Sequence, residues 1–158
     1  MTVSKQGNDV VNEKTGESWV YSPIVKDHFF HPRNLLLEEP AENTFDARGT
    51  VGSPACGDVL DIWLKVDKKT ERITDLKWKT FGCGSAISAT SMFSVMVTEN
   101  GGITLAEALK IKPQDIMERL GGLPNRKIHC SVLMDKAFRK AANNYFRSTG
   151  QYARIINE

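Results

Sequence analysis

Apolar and polar positions change their period along the chain, and each change marks an element. Residues 58–66, DVLDIWLKV, alternate, with Leu60, Ile62, Leu64 and Val66 on one side, the signature of a half-buried strand. The polar turn DKKTER follows, then ITDLKWKTF, residues 73–81, with Thr74, Leu76, Trp78 and Thr80 expected on one side. Two such runs around a short polar turn predict an antiparallel hairpin, with Trp63 and Trp78 as core or sheet-face residues. After Gly84 the period lengthens. Ala86, Thr90, Phe93 and Val97 recur at helical spacing until Gly101-Gly102 stops them. TLAE is a Thr-x-x-Glu capping box at Thr104. Pro113 opens a short helix with Asp115 in its first turn and Gly121 past its end. A long final helix carries Leu133, Ala137, Ala141 and Tyr145 on one face and stops at Gly150.

Ahead of the hairpin, YSPIVKDHFFHPRN reads as a short helix capped by Ser22, with Pro23 at its first position and Ile24, His28 and Phe29 expected on one face. His28 and His31 are far in sequence from every cysteine and are expected to be packing or surface residues. Residues 35–54, rich in Pro, Gly and polar side chains without a period, are expected to form a long loop. Strands early and helices late define an α+β class: a small antiparallel sheet of about three strands against several helices, the last one long. The expected organisation is a flexible tail over 1–20, one domain over 21–150 and a C-terminal tail over 151–158.

Composition narrows the function classes. A chain of 158 residues with 41% hydrophobic and 25% charged residues suits one globular domain. A formal charge of +2 does not argue for nucleic acid or an anionic membrane surface as partner. No apolar run approaches the roughly 20 residues of a membrane helix. The first 19 residues lack an apolar signal region, and Asp9, Glu13 and Glu17 argue against an organelle presequence. Three cysteines, an odd number, argue for free thiols in a reducing, cytoplasmic compartment.

Those cysteines carry the candidate chemistry. Cys56 lies in the turn before the first hairpin strand, and Cys83 just after the second. Antiparallel strands return to where they began, so the hairpin is expected to bring the two together. Cys130 starts the final helix, where the macrodipole favours a thiolate. Three cysteines at element junctions, none on a core face, argue against simple packing. Asp58 and His129 stand next to this set, and three thiolates with a carboxylate or imidazole satisfy zinc or the irons of a small iron–sulfur cluster. The absence of Cys-x-x-Cys pairs, and the glycines at 57, 82 and 84, suit a site that holds and releases metal better than a structural zinc site. A Cys130–His129 nucleophile pair fits less well, because adjacent residues at a helix start point in different directions and Cys56 and Cys83 would have no role.

ACGDV, KTFGCGSAIS and IHCSVL, in that order, resemble the iron–sulfur cluster scaffold family of the IscU or NifU N-terminal type, over about residues 21–146. YSPIVKDHFFHPRN is similar to that family's first helix, with His31 in place of the usual Asn, and Tyr21 aligns more weakly with a family tyrosine. The resemblance implies a scaffold, not a conventional enzyme, on which a 2Fe–2S cluster is built from iron and persulfide sulfur and passed to apo-proteins. It implies Cys56, Cys83 and Cys130 as cluster ligands, with Asp58 associated with cluster lability and His129 as an alternative fourth ligand. Cys130 would be the persulfide acceptor and Lys127 a supporting charge. The implied partners are a cysteine desulfurase, iron or electron donors such as a frataxin-like protein or a ferredoxin, and apo acceptors, with a homodimer possible. No segment is inserted between the second and third cysteines, unlike in zinc-binding SUF-type relatives. A zinc-holding activator of a desulfurase remains the alternative. LPNRK, residues 123–127, departs from the Leu-Pro-Pro-Val-Lys of members served by a dedicated Hsp70 chaperone, which puts that contact in doubt.

Overall fold

In the computed structural model, residues 10–11, 18–19, 22–53, 58–81, 84–122 and 128–157 are described. Near the start, β1 (Val10–Val11) pairs antiparallel with β2 (Ser18–Trp19). Helix α1 (Pro23–Phe30) follows, and the main sheet is three antiparallel strands in the order β3 (Ala47–Ser53), β4 (Asp58–Val66), β5 (Ile73–Phe81). Helices α2 (Gly84–Thr98), α3 (Leu105–Ala108), α4 (Pro113–Arg119) and α5 (Ile128–Ser148) complete the α+β arrangement.

The alternating residues of β4 form the inner layer: Leu60, Ile62, Leu64 and Val66 are all buried. On β5 the expected face is wrong at one end. Thr74 is exposed and Ile73 is buried with Leu76 and Trp78. The cause is a bulge between Lys65 and Val66, which pairs Val66 with Ile73 and Lys65 with Asp75 and leaves Thr74 with no residue opposite it in the ladder. One extra residue reverses which side chains face the core. Trp78 is anchored twice more: its Nε1–H donates to Arg33 O (2.8 Å), and its backbone pairs with residues 34–36 along the free edge of β5.

The expected loop over 35–54 contains a strand the periodicity does not show. In β3, ARGTVGS, Ala47 and Val51 pack against the core and Gly49 between them is buried, so a glycine interrupts the apolar alternation of the inner face. Gly49 shows why. A Cβ there would lie 2.2 Å from Ala137 O and 2.5 Å from Ala141 N of α5. The helix backbone rests directly on the strand, and only a residue without a side chain permits that approach. Asn144 Nδ2 donates to Arg48 O (2.6 Å) and ties the same crossing.

Helix α1 begins as expected, with Ser22 Oγ accepting from Val25 N (3.1 Å). Its buried positions are Val25 and His28, while Ile24 and Phe29 flank them and are exposed, so the expected Ile24–His28–Phe29 face is corrected. The partner surface explains the difference. Ser88, Ser91 and Ser94 of α2, three residues apart, are fully buried and meet α1 and the following turn through hydrogen bonds. Ser88 Oγ donates to Val25 O (3.0 Å), Arg33 N donates to Ser91 Oγ (2.9 Å), and Asn34 Nδ2 donates to Ser94 Oγ (2.9 Å). On its other sides α2 packs on β5 and α5, with Phe93 and Phe138 edge-to-face at 4.9 Å.

The Thr104 capping box forms as expected, and Gly121 (φ 80°) and Gly150 (φ 75°) follow α4 and α5 in left-handed conformations. Residues after Gly150 return onto α5. Asn143 exchanges two hydrogen bonds with Ile156 (2.8 and 3.0 Å), and Arg154 pairs with Glu71 and lies over the Phe146 ring at 4.5 Å.

Candidate metal centre

The candidate ligands belong to four element ends. Asp58 is the first residue of β4, and His129 and Cys130 are the second and third residues of α5. Cys56, Cys83 and Lys127, with the weaker candidate Tyr21, lie outside the described residues. The ends adjoining them are defined. Val59 pairs directly with Phe81, so the entry of β4 and the exit of β5 lie side by side, and α2 begins at Gly84, three residues after Phe81.

The helix crossing brings the start of α5 to this same end. Asn144 lies over Arg48, and Ala141 and Ala137 lie over Gly49, so moving toward the N-terminus of α5 moves along β3 toward Ser53. Ser53 is the partner of Asp58. From Ala137 back to Cys130 is about 10 Å of helix, and from Gly49 on to Ser53 is about 13 Å of strand. The start of α5 and the end of the sheet therefore arrive at similar height. By this reckoning the N-terminus of α5 stands level with the two strand ends, and that of α2 follows β5 in the chain. Free N–H groups and the positive ends of both macrodipoles favour anionic ligands at such a place. Among the described residues, no three His, Cys, Asp or Glu side chains gather to hold a metal ion.

This end also carries exposed apolar side chains that sequence reasoning did not single out. Val59 is 37% exposed, Phe81 67% and Val132 37%, and each lies within three residues of a candidate ligand. Lys79 Nζ sits 5.8 Å from the Phe81 ring centre. Strand alternation alone does not mark Val59 and Phe81, because their exposure depends on tertiary packing.

The histidines of α1 have other work. His28 is buried between α1 and α2, with Nδ1 2.7 Å from Ser91 Oγ. Burial lowers its pKa, and the Arg33 and Arg119 guanidiniums lower it further, against a smaller opposing effect of Asp27. Asp27 is itself held below its ordinary value by its hydrogen bond to Arg33 (2.6 Å). Away from the ligand end, a cavity of about 310 Å³ is lined by residues including Glu39, Phe45, Arg48 and Trp63. Arg48 lies 5.0 Å from the Trp63 ring centre and is paired with Asp61 (2.9 Å) and Glu39 (3.1 Å). None of the candidate ligands lines it.

Residues 20–151 match the family model described as the NifU-like N terminal domain. The iron–sulfur cluster assembly scaffold protein IscU 1 of Archaeoglobus fulgidus is 46% identical over 86% of this chain and 83% of its own length. IscU of Aquifex aeolicus is 40% identical over 85% of this chain and 81% of its own. The nitrogen fixation protein NifU of Azotobacter chroococcum is 46% identical over 80% of this chain and 39% of its own length. Among solved structures, a scaffold protein assigned to the SUF system of Fervidobacterium islandicum AW-1 shares the fold with a TM-score of 0.55 and 20% identity, covering 77% of this chain and 96% of that one.

Proposed function

The chain belongs to the NifU-like N-terminal domain family, and from that premise we propose that it is an iron–sulfur cluster assembly scaffold, a carrier and not a conventional enzyme. The observation that carries this reading is the pairing of Val59 with Phe81, which sets the entry of β4, at Asp58, beside the exit of β5, two residues before Cys83 in the chain; the first turn of α5 carries His129 and Cys130.

The cargo is a 2Fe–2S cluster, held by the thiolates of Cys56, Cys83 and Cys130 with Asp58 or His129 as fourth donor. Sulfur arrives from a cysteine desulfurase as a persulfide. The Cys130 thiolate attacks the outer sulfur, the S–S bond to the desulfurase breaks, and the desulfurase thiolate leaves while Cys130 becomes the persulfide. A position in the first turn of α5 favours this attacking thiolate. Converting the outer sulfur to sulfide needs two electrons, which a ferredoxin-type donor supplies. Lys127 adds positive charge beside the acceptor. A hard carboxylate at Asp58 is a weaker partner for iron in a sulfur-rich set than a fourth thiolate, which suits a cluster that must leave for apo-proteins. Among the described residues no helix is long and apolar enough to cross a membrane, which is compatible with work in the cytoplasm.

The test is anaerobic purification followed by reconstitution with iron and sulfide. The expected result is visible cluster absorbance that each of Cys56→Ser, Cys83→Ser and Cys130→Ser abolishes, and that Asp58→Ala makes longer-lived. Stoichiometric zinc with no cluster absorbance would replace the scaffold by a zinc-holding activator of the desulfurase.

A further inference from the structure

One hydroxyl interrupts the apolar inner face of the β4–β5 hairpin, and it does so at the ligand end. Leu60, Ile62, Leu64 and Val66 of β4 are buried with Ile73, Leu76 and Trp78 of β5. Thr80 pairs with Leu60, so it continues the same face, half-buried. Its Oγ1 donates across the strands to Val59 O (2.7 Å). Valine has the same shape and a similar preference for strands. It would also bury a methyl group where threonine buries a hydroxyl, which costs free energy unless bonded. Burial alone therefore favours valine here, and the hydroxyl must answer to something else.

The place of its bond supplies that. Among the described residues, the β4–β5 ladder ends at Val59–Phe81, while Asp58 is opposed by Ser53 of β3. The Thr80 hydroxyl thus ties the last rung between the two strands. Asp58 directly precedes Val59, and Cys83 follows Phe81 by two residues. Termini of elements open most readily, and a slip of one residue at a strand end moves a ligand by about 3.3 Å. A metal-binding constellation tolerates about 0.5 Å. The far end of the same hairpin holds a bond of the same kind, in which Thr74 Oγ1 donates to Lys65 O (3.2 Å) beside the bulge.

We propose that Thr80 is a positioning residue of the candidate metal centre. Its hydroxyl holds the entry of β4 and the exit of β5 at the spacing that Asp58 and Cys83 need to share one centre. Thr80 touches no metal in this role and acts through the backbone of Val59. The proposal rests on the scaffold reading for what the centre carries, but not for the spacing.

The experiment uses the full chain without oxygen and Co(II) alone as probe, followed by the visible absorption of its thiolate complex. Thr80→Val is expected to weaken Co(II) binding about tenfold and to change the absorption bands. The Tm of the metal-free chain is expected to stay within about 3 °C of wild type. Thr80→Ser, which keeps the hydroxyl, is expected to bind within about twofold of wild type, as is Thr74→Val, which removes the matching bond at the far end. Without metal, hydrogen exchange at the Val59 and Phe81 amides is expected to quicken about threefold or more in Thr80→Val, with Ile62 and Leu76 unchanged. Wild-type affinity in Thr80→Val overturns the proposal. So does an equal loss in Thr80→Ser or Thr74→Val, or a larger fall in Tm, since the hydroxyl then serves the fold. A wild-type chain that binds no Co(II) overturns it too. Reconstitution with iron and sulfide is measured alongside. A wild-type chain that binds Co(II) but forms no cluster refutes the scaffold reading and leaves the role of Thr80 standing. A cluster that forms while Thr80→Val binds Co(II) like wild type refutes only the role of Thr80.

Discussion

Replacing Gly49 with alanine exchanges a hydrogen for a methyl group where the backbone of α5 crosses β3. The new Cβ would stand 2.2 Å from Ala137 O and 2.5 Å from Ala141 N. Ordinary contact begins near 3.4 Å, so α5 and β3 must separate by about an ångström, and both obstructing atoms are backbone of a helix buried on that side. No rotamer change relieves the clash. Overpacking a core costs about 1–3 kcal/mol, and the absence of any flexible side chain in the way places Gly49→Ala at about 3 kcal/mol. For a chain of this size that lowers Tm by about 6–12 °C. The assay is urea unfolding followed by far-UV circular dichroism, with a thermal scan beside it. Gly101→Ala is the internal comparison: nothing lies within 4 Å of its added Cβ, and only the left-handed φ of 85° opposes it, which costs about 1–2 kcal/mol. The reasoning is refuted if Gly49→Ala unfolds within about 0.5 kcal/mol of wild type, because direct helix-on-strand contact leaves no room for that outcome. A displaced α5 also moves Cys130 away from the hairpin end, so cluster reconstitution is expected to fall at temperatures where the variant is still folded.

Three further outcomes follow from named contacts. His28 has a folded pKa below its ordinary value, so the stability it contributes is complete above about pH 6.5 and is lost as pH falls toward the folded pKa, by at most about 1.4 kcal/mol per unit; in urea titrations, His28→Gln is expected to flatten the pH dependence below about pH 6.5, and an unchanged slope would mean that the buried imidazole is not responsible. Thr104→Ala removes the side-chain half of a capping box that Glu107 N and Glu107 Oε2 complete at 3.2 Å each, and chemical denaturation should report a loss of about 1 kcal/mol. Arg154→Ala removes the pairing with Glu71 and the contact with the Phe146 ring, with an expected cost of about 1–2 kcal/mol and faster amide exchange along the C-terminal half of α5.

Several parts of the fold were legible because they depend on near neighbours. The β4–β5 hairpin and its inward residues Leu60, Ile62, Leu64 and Val66 follow from a period of two. The Ser22 and Thr104 caps and the glycines after α4 and α5 follow from local hydrogen bonding and backbone freedom. The bulge at Thr74 was not legible, because alternation continues through it in the sequence while the strand slips by one residue in space. His28 read as a packing residue, but its hydrogen bond to a serine 63 positions away required the α1–α2 seam. The buried row Ser88, Ser91 and Ser94 was not singled out from the sequence, because its hydroxyls are satisfied only by residues about 60 positions away in the α1 segment.

The sequence by itself determined the chemistry available at the candidate centre: three cysteines at element junctions, with an aspartate and a histidine beside them, and the hairpin that turns two of those junctions toward each other. Short-range rules suffice for that, since caps, turns and periods act within a few residues. The tertiary structure alone decided the height of the start of α5 on the sheet, because a crossing at Gly49 sets it level with the strand end at Ser53 and Asp58. A glycine in an unpatterned stretch does not reveal which helix will lie on it, more than 80 residues away. That pairing follows from long-range packing, in which a missing side chain matters only once another backbone occupies its place.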